Sequence, residues 1–180
     1  MRILKDNTIG IFIDIQEKLF PHMQEKEILI KNLIKLSTGL KILNVPIIVT
    51  EQYPRGLGFT VTPLKDALEQ LVPIEKTAFS TCDEPQFMKV LNESSKKNVI
   101  LCGIETHVCV LQTSIDLINR GFIPVVIEDC VSSRKTSDKN IALERMRQEG
   151  VLISSLESIL FELTRYSGTE IFKSISNLVK

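Results

Sequence analysis

The stretch that decides the fold is Val99-Ile100-Leu101-Cys102-Gly103-Ile104-Glu105-Thr106-His107-Val108-Cys109-Val110. An apolar run of strand type ends in glycine, a short polar turn follows, and a cysteine stands about where a helix begins. A parallel sheet is built from such units, because a helix must carry the chain back before the next parallel strand can start. The same placement has a chemical side. A helix N-terminus leaves backbone N–H groups unpaired and carries partial positive charge. A cysteine there is expected to favour its thiolate, and the free amides can hold an oxyanion.

Outward from this segment the rhythm repeats. Strands are predicted over residues 8–15, 46–50, 71–75, 99–102, 123–128 and 151–154, as short, near-continuous Val/Ile/Leu runs of the kind that parallel strands covered on both faces show. Helices are predicted over 28–43, 63–70, 85–95, 107–119, 137–148, 156–164 and 169–179. Pro63 suits a helix start, and Asn44, Gly121 and Gly150 suit helix ends. The expectation is a single α/β domain over 1–180: a three-layer α/β/α, doubly wound fold around a six-stranded, mainly parallel sheet. One long irregular connection interrupts the pattern, EQYPRGLGFTVT at 51–62, readable as a surface excursion, a lid or an oligomer contact.

Composition narrows the function classes. Lys plus Arg and Asp plus Glu each number 22, so no basic excess points to nucleic acid. No apolar run approaches the roughly 20 residues of a membrane span, and Met1-Arg2-Ile3-Leu4 leads almost at once into a strand rather than a signal-type segment. A cytoplasmic enzyme or binding protein is the expectation. Cys82, Cys102, Cys109 and Cys130 lack CxxC spacing and are read as reduced thiols.

In open α/β sheets ligands bind beyond the carboxyl ends of the strands. Asp14, Lys76 and Cys109 all fall at such ends. Together they make a usable set: Cys109 attacks a carbonyl carbon, Asp14 takes and returns its proton, and Lys76 holds the carboxylate. Each also has a plain structural reading: a capping Asp, a solvated Lys and a core Cys. Only their joint placement on one rim favours the chemical one.

Asp14-Ile15-Gln16 after the first strand, Lys76-Thr77-Ala78-Phe79-Ser80 after the third and GIETHVCV (104–110 with Gly103) after the fourth resemble the isochorismatase-like cysteine hydrolases. TEQYPRGLG (50–58), VSSR (131–134) and SSLESILFELT (154–164) extend the resemblance over nearly the whole chain. The resemblance implies a catalytic Asp14, Lys76 and Cys109, a cis peptide at Ile104–Glu105, and an oxyanion site at the backbone amides of Glu105 and Cys109. It implies hydrolysis of a small amide, ureido or carbamoyl C–N bond through a thioester, without a cofactor, in a homo-oligomer (dimer, tetramer or larger). Members that hydrolyse nicotinamide carry metal-binding histidines after the second strand; residues 50–58 here have none, so no metal site is expected. Gln16, Phe20, Tyr53 and Phe79 flank the motifs as candidate pocket residues, Phe20 and Phe79 equally as core. A non-catalytic binding or scaffold protein of the same fold is the alternative. Glu105 adds a puzzle: a carboxylate beside a site for negative charge must point away, pair with a cation or select a cationic substrate.

Overall fold

In the computed structural model, which describes residues 1–69 and 72–180, the apolar runs pair into one sheet. Its strands are β1 (Thr8–Ile13), β2 (Ile47–Gln52), β3 (Ile74–Lys76), β4 (Asn98–Ile104), β5 (Ile123–Ser132) and β6 (Leu152–Ser154). The order is β3-β2-β1-β4-β5-β6, and every neighbouring pair is parallel. The chain first winds outward from β1 to β3, then returns to the other side of β1 with β4. The carboxyl ends of β1 and β4 therefore flank the topological switch point, where open α/β sheets bind ligands.

The helices are α1 (Lys26–Ile42), α2 (Pro54–Leu57), α3 (Thr62–Leu68), α4 (Pro85–Glu93), α5 (Leu111–Asn119), α6 (Thr136–Gln148), α7 (Leu156–Thr164) and α8 (Glu170–Val179). Strand alternation sorts the core into two layers. Phe12, Ile100, Cys102 and Ile104 pack with Leu33, Leu36 and Leu40 of α1 and Ile159 and Leu160 of α7. Ile9, Ile11, Ile13, Val99 and Leu101 pack with Phe87 and Leu91 of α4, Leu117 of α5 and Met146 of α6. This is the expected doubly wound α/β arrangement, with a buried apolar layer on each face of the sheet.

Boundaries differ from the sequence reading where a local rule intervenes. β1 stops at Ile13, because Asp14 has φ 54° and turns the chain out of the sheet. β3 begins only at Ile74; Pro73 has no N–H to contribute to the ladder, and the predicted start at Leu71 and helix end at Gln70 lie outside the described residues. β5 runs four residues past its predicted end, to Ser132, because the β4–β5 register shifts: Leu101 faces Val126, but Gly103 faces Val131. The 51–62 connection is more ordered than expected. It holds the end of β2, the single turn α2 and an antiparallel bridge between Gln16 and Thr60.

Gly103 is fixed by two constraints at once. Its φ is +118°, and a Cβ there would lie 2.1 Å from the Ile13 carbonyl oxygen and 2.7 Å from the Ile13 nitrogen. Both neighbours are backbone of the strand that delivers Asp14. At Gly10 the one close approach of a Cβ would be to Leu40 Cδ1 at 2.6 Å, the end of a side chain that can turn away. Gly103→Ala is expected to destabilise the fold by about 3 kcal/mol in denaturant unfolding, and Gly10→Ala by clearly less.

Candidate active site

Three side chains meet at the switch point from three separate strand ends. Asp14 follows β1, Lys76 is the last residue of β3, and Cys109 lies in a π-helical turn, Thr106–Val110, between β4 and α5. Sequence reading started the helix at 107; the structure inserts this wider turn first. Such turns are frequent at functional sites because they re-aim side chains without breaking the helix.

Lys76 sits two strand spacings from β1, roughly 10 Å, and its long stem spans the distance across the end of β2. Its Nζ lies 2.6 Å from Asp14 Oδ2, both side chains being fully buried. This is an ion contact without well-aligned hydrogen-bond geometry at Oδ2. The ammonium donates its aligned hydrogen bonds to Gln52 Oε1 at 2.7 Å and to the carbonyls of Ala78 (3.1 Å) and Phe79 (3.2 Å). Asp14 Oδ1 accepts from Thr50 Oγ1 at 2.7 Å. A buried ion pair is tolerable only when such bonds satisfy its remaining donors and acceptors. Thr50 and Gln52, both on β2, are thus parts of the site that the motifs did not single out. Alternation along the strand gives the signal that was available: with period 2, both belong to one face and reach the same rim.

The titration of the site follows from its burial. Desolvation raises the Asp14 carboxyl above its ordinary value, against the opposing pull of Lys76. Cys109 is 6% exposed, and burial pushes its thiol up to about 12; the Asp14 charge adds to the rise and Lys76 opposes it. This corrects the expected thiolate. The positive end of the helix does not outweigh burial beside Asp14, so the thiol form of Cys109 is favoured over the thiolate. Cys82, pushed up to about 11, and Cys102 and Cys130, raised well above the usual thiol range, are all buried among core side chains.

The Ile104–Glu105 peptide is cis. The Glu105 side chain turns to a cation: its Oε2 accepts from Arg134 N at 3.0 Å and from Arg134 Nε at 3.1 Å. His107 Nδ1 is 2.9 Å from Ser133 Oγ, and so faces the loop after β5. Among the described residues, the buried side-chain polar atoms without an aligned partner are Asp14 Oδ2 and Thr106 Oγ1. Both follow the ends of the two switch-point strands; Asp14 Oδ2 has Lys76 Nζ against it, whereas Thr106 Oγ1 has no such contact.

The four candidate pocket residues separate. Tyr53, half exposed, lines a cleft of about 300 Å³ with Arg55, Glu75, Lys76, Thr77 and Glu84. Phe79 is also half exposed and holds Lys76 through its carbonyl. The Gln16 side chain is taken up by backbone groups. Its Nε2 donates to the carbonyls of Gln52 and Gly58, its Oε1 accepts from Gln52 N, and the residue is fully buried. It pins the 51–62 connection to β1 instead. Phe20 packs with the α1 core layer, whereas Cys109 belongs to the opposite layer. No group of three or more His, Cys, Asp or Glu side chains among the described residues is arranged to hold a metal ion. No helix among them is long and apolar enough to cross a membrane.

Comparison with known proteins accords with this architecture. Isochorismatase family protein 1A of Dictyostelium discoideum is 41% identical over 181 residues, covering 96% of this chain and 86% of its own. A solved structure described as the MAR1 ribonuclease of Caenorhabditis elegans is 39% identical, with a TM-score of 0.93 over 99% of this chain and 92% of that one. The ycaC gene product of Escherichia coli, described as an octameric hydrolase of unknown specificity, shares the fold at 23% identity, with a TM-score of 0.92 over 99% of this chain and 90% of its own. The model of the isochorismatase domain matches residues 8–158, and with it the chain belongs to the isochorismatase domain family.

Proposed function

We propose that the protein is a metal-independent cysteine hydrolase that cleaves a small amide, ureido or carbamoyl C–N bond through a Cys109 thioester. One observation carries the reading: a fully buried Asp14–Lys76 pair at 2.6 Å stands beside a neutral thiol, and burial raises both the carboxyl and the thiol. A thiol at about 12 is a poor nucleophile by itself at neutral pH and needs a base at the moment of attack. A carboxylate of raised pKa is a better base than an ordinary one, and Asp14 is positioned for that role.

The steps follow from the groups present. The substrate carbonyl oxygen lies against the amides of Glu105 and Cys109. Cys109 Sγ bonds to the carbonyl carbon as its proton passes to Asp14. The tetrahedral oxyanion is held by the two amides. Asp14 then protonates the leaving nitrogen, the C–N bond breaks, and ammonia or an amine departs. Water attacks the thioester, Asp14 takes its proton, and the C–S bond breaks. The acid leaves and the thiol is restored. Lys76 keeps Asp14 in place and stabilises its charged form, and Thr50 fixes the other oxygen.

The small-molecule reading is preferred over a ribonuclease, the activity in the description of the C. elegans neighbour. An RNA backbone calls for a basic track, and here Lys plus Arg balance Asp plus Glu at 22 each, while the cleft beside Lys76 carries Glu75 and Glu84 against Arg55. We place the protein in the cytoplasm as a homo-oligomer. In the second point it parallels the E. coli protein described as octameric.

A panel of small amides, ureas and carbamates, with an RNA oligonucleotide alongside, tests the activity. Turnover is expected on a small C–N substrate, abolished in Cys109→Ala and lowered about 100-fold or more in Asp14→Asn. Turnover that survives Cys109→Ala, or RNA cleavage alone, overturns the reading. Iodoacetamide at neutral pH is expected to label Cys109 well before Cys82, Cys102 and Cys130; uniform labelling of all four thiols contradicts an activated Cys109. Lys76→Met tests the ion pair. Asp14 is raised in the folded state, so the native protein binds its proton more tightly than the unfolded chain, and stability falls as pH rises from the unfolded value of 3.8 through the folded one. Removing Lys76 raises Asp14 further, so the variant is expected to lose stability more steeply with rising pH than the wild type in urea unfolding at pH 4 to 8. Light scattering is expected to give a multiple of the 20.4 kDa chain mass; a value equal to it overturns the oligomer.

A further inference from the structure

The turn that supplies the proposed oxyanion amides is tied to the loop after β5 by two side-chain bridges. Glu105 Oε2 accepts from Arg134 N at 3.0 Å and Arg134 Nε at 3.1 Å, and His107 Nδ1 meets Ser133 Oγ at 2.9 Å. The Glu105 side chain is 9% exposed, so its carboxylate is largely removed from water and depends on these donors. The loop itself is anchored. Ser132 Oγ donates to the Gln24 carbonyl, Gln24 N donates to the Ser133 carbonyl, and Gln24 Nε2 donates to the Arg134 carbonyl. Two residues before Asp138 opens toward His107 Nε2 at 3.9 Å, α6 begins at Thr136, so the same loop is continuous with a helix of the core. The chain from Glu105 to the interior is therefore a set of fixed points around a short turn.

We propose that Arg134 is a positioning residue: by holding the Glu105 side chain it fixes the turn whose amides stabilise the oxyanion. This rests on the cysteine-hydrolase reading and assigns Glu105 a second part in it. Its backbone amide faces the substrate while its side chain is the handle by which the turn is held. A carboxylate near an oxyanion site would oppose the reaction if it were free to swing; bound to Arg134 it is kept out and its charge is offset. An amide displaced by a fraction of an ångström loses much of its hold on an oxyanion, because the hydrogen bond weakens steeply with distance and angle.

The test separates two reactions of one thiol. p-Nitrophenyl acetate acylates Cys109 through an oxyanion: the C–S bond forms, the ester C–O bond breaks, the thiol proton passes to Asp14 and p-nitrophenolate leaves as a coloured burst. Iodoacetamide alkylates the same sulfur with loss of iodide and develops no oxyanion. Arg134→Ala is expected to slow the burst about 10- to 100-fold while changing the alkylation rate less than about twofold. Arg134→Lys, which restores one donor to Glu105, is expected to recover most of the burst. Glu105→Ala, which removes both contacts, is expected to lose more than Arg134→Ala. If the burst in Arg134→Ala equals that of wild type, or if burst and alkylation fall together in Arg134→Ala and in Arg134→Lys alike, the positioning role is overturned. A burst that persists in Cys109→Ala overturns the hydrolase reading itself, so the two failures are told apart.

Discussion

The buried contact between Asp14 and Lys76 is the constraint around which the rest of the site is arranged. Two unit charges removed from water are costly, and their mutual attraction offsets that cost only where further hydrogen bonds saturate them. Every neighbouring element contributes to this end. β2 supplies Thr50 and Gln52, the segment after β3 supplies two carbonyls, and β1 ends at a left-handed Asp14 that leaves the sheet at the switch point. Gly103 allows β4 to pass close enough to β1 for the turn bearing Cys109 to reach the same place. The pair thus links three strands that are far apart in sequence.

The pair also explains why the thiol stays neutral. Reasoning from a helix N-terminus favours a thiolate, and in a solvated loop that argument would hold. Here the cysteine is buried with a carboxylate beside it, and desolvation acts in the opposite direction. In the proposed reaction this sets a division of labour: Asp14, braced by Lys76, takes the proton, and sulfur becomes the nucleophile only as a carbonyl carbon is attacked.

Much of the fold was legible in the sequence because parallel strands buried on both faces read as continuous apolar runs, and three helices end just before Asn44, Gly121 and Gly150. β4 and the segment after it were the clearest case. The details that sequence reading missed depend on registry and distant partners. The four extra residues of β5 come from a shift against β4 that no local pattern encodes. Gln16 and Phe20 stood beside the motifs in sequence, yet Gln16 serves backbone carbonyls and Phe20 faces the other core layer. The partner of Glu105 was already in view in Val131-Ser132-Ser133-Arg134, but only the parallel pairing of β4 with β5 brings Arg134 to it.

Lys76 stands on β3, an edge strand of three residues, whereas Asp14 and Cys109 follow the central strands β1 and β4. A short edge strand is held by one neighbour and opens at a lower free energy than the middle of the sheet. The cation that the site depends on is therefore carried by an element that can detach while the core remains folded. By this reasoning the contact between Lys76 and Asp14 opens at a lower temperature than the one at which the central strands melt.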